Sequence, residues 1–75
     1  MSYSKYFKNN KGDYIDSWSL EKDGYHFQCT YNHKTNFVSV DCPSVGKPPK
    51  TAIAKPHERE IMANLLAAEI IEYDQ

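Results

Sequence analysis

Two runs of alternating side chains flank Lys22-Asp23-Gly24, and together they demand an antiparallel sheet. From Asp13 to Glu21, Tyr14, Asp16, Trp18 and Leu20 share one parity. Beyond the turn, Tyr25, Phe27, Cys29 and Tyr31 alternate with His26, Gln28 and Thr30. A period of two is the signature of a strand with one buried face. Asp-Gly accepts the positive φ values of a type I′ turn. A two-residue turn there pairs Lys22 with Tyr25, Leu20 with Phe27 and Trp18 with Cys29. A second turn falls in Asn32-His33-Lys34-Thr35 and leads into Phe37 to Cys42, with Val38, Val40 and Cys42 on one face. Setting Asn32 opposite Thr35 brings Phe27 against Val40 and Cys29 against Val38. Both hairpins then place their large apolar residues on the same side, and a slip of one residue in either would scatter them. Pro43 ends the third strand, because it cannot donate to a ladder.

The stretch from Pro56 to Tyr73 reads as one strong helix, with Pro56 suited to its first turn. On a helical wheel, Ile61, Leu65 and Ala68 form one face. Met62, Leu66, Ile70 and Tyr73 form a second, turned by about a third of a circle at 100° per residue. One face can roof the sheet; two faces call for two partners. The expectation is a homodimer whose interface is Met62, Leu66, Ile70 and Tyr73. The edge of the third strand, residues 36–42, is the second contact, whereas Asp16, pointing inward, guards the edge of the first strand.

The predicted architecture is α+β: a three-stranded antiparallel β-meander over residues 13–42, packed against one C-terminal α-helix over 56–73 (β-β-β-α). Residues 1–12 form an N-terminal arm and 43–55 a Pro-rich connection. In the arm, Tyr3, Tyr6 and Phe7 fit either one helical turn or an extended segment draped on the sheet, and Asn9-Asn10-Lys11-Gly12 breaks it. In the connection, Pro48-Pro49 forces an extended passage. Thr51-Ala52-Ile53-Ala54 fits a short strand or a turn of helix. At 75 residues the chain is one domain, near the size at which a single core is marginal.

Charge is unevenly distributed. Residues 1–55 carry eight Lys against five acids; residues 56–75 carry Arg59 against Glu58, Glu60, Glu69, Glu72 and Asp74, and the whole sums to −1. Glu58 and Glu60 suit the first helical turn, but Glu69, Glu72 and Asp74 oppose the dipole at its end. A positive neighbour is expected there, from the chain's own lysines or from a partner. No apolar run approaches the roughly 20 residues that span a bilayer, and the first residues are no secretory signal. The expected location is cytoplasmic, with two reduced cysteines.

Candidate chemistry is sparse. His26, Cys29, His33 and Cys42 are zinc-type residues. Strand parity, however, sends His26 and Cys29 to opposite faces, and the register above sets Cys42 beside Tyr25, about 13 Å along the sheet from the level of Cys29. No metal site and no cofactor is expected. Neither CxxC, a phosphate loop, HExxH nor GxSxG is present, so catalysis is not expected either.

The expected function is therefore a small non-enzymatic protein-protein interaction module, a regulator or inhibitor that binds and blocks another protein. Lys5, Lys8, Lys34, Lys47, Lys50 and Lys55, or the acidic helix end, would dock a charged target. Size and composition are similar to those of small inhibitors encoded by phages and mobile elements, anti-CRISPR proteins among them, though no motif carries that likeness. The alternative is a small DNA- or RNA-binding regulator. It would use the outward sheet residues Ser17, Ser19, His26, Gln28, Thr30 and Ser39 with the lysine-rich arm and loop. A single Arg and a negative net charge weigh against it.

Overall fold

A computed structural model describes residues 4–8 and 12–74, with side chains for residues 8 and 12–73. The described residues fold into a five-stranded antiparallel sheet whose strand order is the chain order: β1 (Ser4–Lys8), β2 (Tyr14–Lys22), β3 (Tyr25–Asn32), β4 (Phe37–Asp41) and β5 (Lys50–Ile53). A 3₁₀ turn, Pro56–Glu58, then leads into helix α1 (Arg59–Asp74). The α+β class and the C-terminal helix follow the sequence pattern. The strand count does not: the predicted meander is the centre of the sheet, and one further strand lies on each side of it.

The β2–β3 hairpin has the expected register, with Lys22 opposite Tyr25, Leu20 opposite Phe27 and Trp18 opposite Cys29. Asp23 (φ 51°) and Gly24 (φ 83°) supply the two positive φ values of its turn. The β3–β4 hairpin departs from expectation by two residues, pairing Cys29 with Val40 and Tyr31 with Val38. The cause lies in the turn. Asn32 Oδ1 accepts from the backbone N–H of Lys34 at 2.8 Å and of Thr35 at 3.1 Å, and Asn36 turns back at φ 64° with its N–H 2.7 Å from the Asn32 carbonyl. The two asparagines thus close a longer loop than a tight turn would. A slip of two keeps parity, so the same side chains still face inward.

Both flanking segments became strands because they cover edges. Part of the N-terminal arm is β1, paired with β2 from Ser4↔Trp18 to Lys8↔Tyr14. Tyr3 and residues 9–11 lie outside the described residues. The Pro-rich connection turns at residues 43–46, with the Val45 N–H 3.0 Å from the Cys42 carbonyl, and returns as β5 along β4, Phe37 opposite Ile53 and Val40 opposite Lys50. Two expectations fall together. Asp16 is not guarding an edge, since β1 covers β2. The edge predicted open at residues 36–42 is taken by β5 along Phe37 to Val40.

Helix α1 packs on one face of the sheet, chiefly over β4 and β5. Its buried residues are Ala63, Leu66, Ala67, Ile70 and Ile71, and Met62 packs against the same core. Beneath them lie Phe27, Cys29, Tyr31, Val38 and Val40, all fully enclosed. The helix therefore sits the other way round from expectation. Met62, Leu66 and Ile70, predicted as a dimer interface, roof the sheet, while Ile61 and Leu65 face outward at 66% and 55% exposure. The reason is the pair of alanines. Ala63 and Ala67 lie on the wheel beside Leu66, Ile70 and Ile71, completing an arc about 140° wide at 100° per residue. Their small side chains let the helix axis come close to the strands. Burial of Phe27 or Tyr31 contributes about 2–3 kcal/mol each at the usual value per unit of apolar area.

Candidate interaction surface

The start of α1 is clamped to the sheet through Asp16. This carboxylate, inward on β2 and 5% exposed, receives His33 Nε2 at 2.8 Å and Arg59 Nε at 3.2 Å, both on Oδ2. The Arg59 guanidinium also donates to the Pro56 carbonyl and lies 6.0 Å from the centre of the Tyr31 ring. His33 meets that ring edge-on at 4.9 Å. The Tyr31 hydroxyl donates to the Ala54 carbonyl at 2.9 Å, beside Asn36 Oδ1 at 2.9 Å. One buried carboxylate thereby joins β2, the β3–β4 turn and the helix start. Its neighbour Asp13 is held by Asn32 Nδ2 at 3.3 Å and by Lys34 at 3.8 Å. Sequence reading put Asp16 inward but did not find its partners, because a long-range ion pair leaves no local pattern.

The acidic end of the helix is met from within. Lys47 Nζ donates to the Tyr73 carbonyl at 3.2 Å, and Lys50 Nζ lies 3.4 Å from Glu69 Oε1. Both ammonium groups also lie over the Tyr73 ring, at 5.4 and 4.6 Å from its centre. Cations at a helix C-terminus relieve its unpaired carbonyls. Lys47, Lys50 and Tyr73, with Pro48 and Ile70, line a cleft of about 340 Å³. Tyr73, predicted at a dimer contact, is exposed and held by these lysines.

The remaining predicted lysines do not form one patch. Lys8 lies over the Tyr14 ring at 4.9 Å, and Lys34 pairs with Asp13. Lys55 is exposed just before the 3₁₀ turn. Lys5 sits in β1 opposite Ser17, its side chain outside the described residues. By register, Lys8, Lys34 and Lys55 belong to the sheet end where the helix begins, and Lys47 and Lys50 to the other end.

Two surfaces are left. On α1, Ile61, Leu65 and Ala68 run along the side away from the sheet, with Glu58, in the 3₁₀ turn before it, and Glu72 exposed at either end. On the sheet, Ser19, His26 and Gln28 are exposed and Ser17, Thr30 and Ser39 half-buried on the face that α1 leaves uncovered. Glu21 shares that face and pairs with His26 at 3.1 Å, and Asp41 lies opposite Gln28. Phe37 and Ile53, cross-strand partners, are exposed at 46% and 66%.

Cys29 and Cys42 are free thiols in the core. The two-residue register shift brings Cys42 to about 7 Å along the sheet from the level of Cys29, closer than the sequence register implied. Burial raises the Cys29 thiol pKa to about 11, and raises that of Tyr31, where Arg59 pulls the other way. Among the described residues, no three His, Cys, Asp or Glu side chains gather as metal ligands, and no helix is long and apolar enough to cross a membrane. The chain matches no protein-family model, no curated protein and no solved structure.

Proposed function

We propose that this chain is a small non-enzymatic protein-interaction module, a regulator or inhibitor that covers a surface of another protein, and that the outer face of α1 is the part that docks. The observation that supports this reading is the exposure of Ile61 and Leu65, 66% and 55%, one turn apart on a helix whose other large aliphatic side chains are buried or packed against the core. Adjacent exposed apolar side chains with a charged surround are the common composition of a protein contact surface. Met62, Leu66, Ile70 and the edge of β4, which the sequence nominated for self-association, are covered by the chain's own elements, so they are not part of the proposal.

Affinity capture from the native host, with proteins and nucleic acids both identified, tests it. The expected result is one protein recovered in stoichiometric amount, without nucleic acid. Recovery of nucleic acid alone would replace this reading with the second one.

That second reading is nucleic acid binding on the open sheet face, favoured by the polar side chains of β2, β3 and β4 displayed there. Glu21 and Asp41 on the same face, and the engagement of Lys47 and Lys50 with the helix end, count against it. Titration with duplex and single-stranded DNA at two salt concentrations separates the two, since phosphate binding falls steeply with salt.

A further inference from the structure

The stripe on α1 also indicates what kind of partner fits it. At 100° per residue, Ile61, Leu65, Ala68 and Glu72 fall within an arc of about 60°, roughly opposite the buried arc. Glu58, the last residue of the 3₁₀ turn that leads into α1, and Glu72 stand seven residues before and seven after Leu65. Both are exposed, and neither has an ion-pair partner among the described residues. Arg59, the only Lys or Arg in residues 56–75, is turned inward to Asp16. Seen from outside, the helix is a short apolar stripe ending in a carboxylate at each end.

This symmetry argues against a second copy. A two-fold antiparallel crossing centred on Leu65 would set Glu58 of each chain against Glu72 of the other, and a parallel one would set each glutamate against its twin. Either arrangement places like charges together at both ends of a small apolar contact, and such juxtaposition discriminates against the pairing.

We propose, resting on the interaction reading above, that α1 binds a basic amphipathic helical segment of a partner protein. Its apolar side chains lie on Ile61, Leu65 and Ala68, and Lys or Arg side chains about 14 residues apart, some 21 Å at 1.5 Å per residue, meet Glu58 and Glu72. Helix-on-helix docking through anchors one turn apart is a recurring mode of recognition, and opposite charge at the rim sets its orientation and association rate.

The probe is a synthetic helical peptide with a central leucine stripe and a lysine two turns to either side, compared with a twin carrying glutamate in place of lysine. Added to the full chain at low salt, the lysine peptide is expected to bind at least tenfold more tightly than its twin and to shift backbone amide resonances within residues 58–72. Leu65→Ser should weaken it tenfold or more, and Glu58→Gln with Glu72→Gln should close the gap between the two peptides. Equal binding of both peptides, shifts confined to the sheet face, or indifference to Leu65→Ser would overturn the proposal. So would a dimer of the free chain in sedimentation equilibrium that Leu65→Ser dissociates, because the stripe would then belong to a second copy. A host protein whose capture survives Ile61→Ser and Leu65→Ser would remove the stripe and leave the interaction reading standing.

Discussion

Asp16 Oδ2 holds the His33 imidazole and the Arg59 guanidinium, side chains from different parts of the chain, and that arrangement has a measurable consequence. Taking away one member of a buried ion cluster leaves the others desolvated without compensation. Asp16→Ala is expected to lower unfolding free energy by about 2–4 kcal/mol in urea titrations, discounted because His33 and Arg59 are about a third exposed. His33→Ala should lower it by less, roughly 1 kcal/mol, since Arg59 remains in place. Cys29 carries a second consequence. Its folded-state pKa of about 11 stands above the ordinary thiol value of 9.0, so the folded state holds the proton more tightly. The stability this contributes is intact below pH 9 and is lost as pH rises through 11; Tyr31, also raised, acts in the same direction. Unfolding free energy should therefore fall above pH 9, by an amount on the order of 2 kcal/mol for Cys29, and Cys29→Ala should flatten that decline. Neither property was legible in the sequence. Parity put Asp16 and Cys29 inward, but partners and depth depend on which distant elements arrive beside them.

Between elements, legibility followed periodicity. The alternation around Asp23-Gly24 specified the pairing of β2 with β3 to the residue, because a two-residue turn admits one register. The asparagine-rich turn did not, because Asn32 and Asn36 can close loops of more than one length. The helix was clear in extent except for its first turn, where Pro56–Glu58 is 3₁₀, and it was ambiguous in rotation: two apolar faces compete, and alanines at 63 and 67 decide between them through close approach rather than through hydrophobicity. Substitution makes this orientation testable. Leu66→Ala is expected to cost about 2–4 kcal/mol and Leu65→Ala less than about 0.5, measured by denaturant unfolding. Ala67→Leu should cost about 1–3 kcal/mol by overfilling the seat of the helix. The reverse ranking would mean that the helix is rotated the other way. At its far end, Lys47→Ala should cost about 0.3–1 kcal/mol at low ionic strength and progressively less as salt is added.

For the molecule as a whole, strand order identical to chain order means that each hairpin forms between neighbours in sequence. The edge strands β1 and β5 each pair on one side only, and β5 has only four residues. Hydrogen exchange should accordingly find the slowest amides in β3, β4 and the middle of α1, with β1 and β5 exchanging first. Uniform protection across all five strands would contradict that ranking. The edges were the least legible part of the fold, since short strands beside a Pro-Pro pair or an Asn-rich break show too few alternations to register.

The helix follows the strands along the chain, and its later arrival has a consequence during synthesis. A ribosome would release the five strands before the roof exists, so Trp18, Phe27, Val38 and Val40 would face water on a nascent sheet until the sixteen residues of α1 clear the exit tunnel. A chain cut short before Arg59 would keep that wet greasy floor permanently, and its expected fate is aggregation or degradation rather than a smaller working protein.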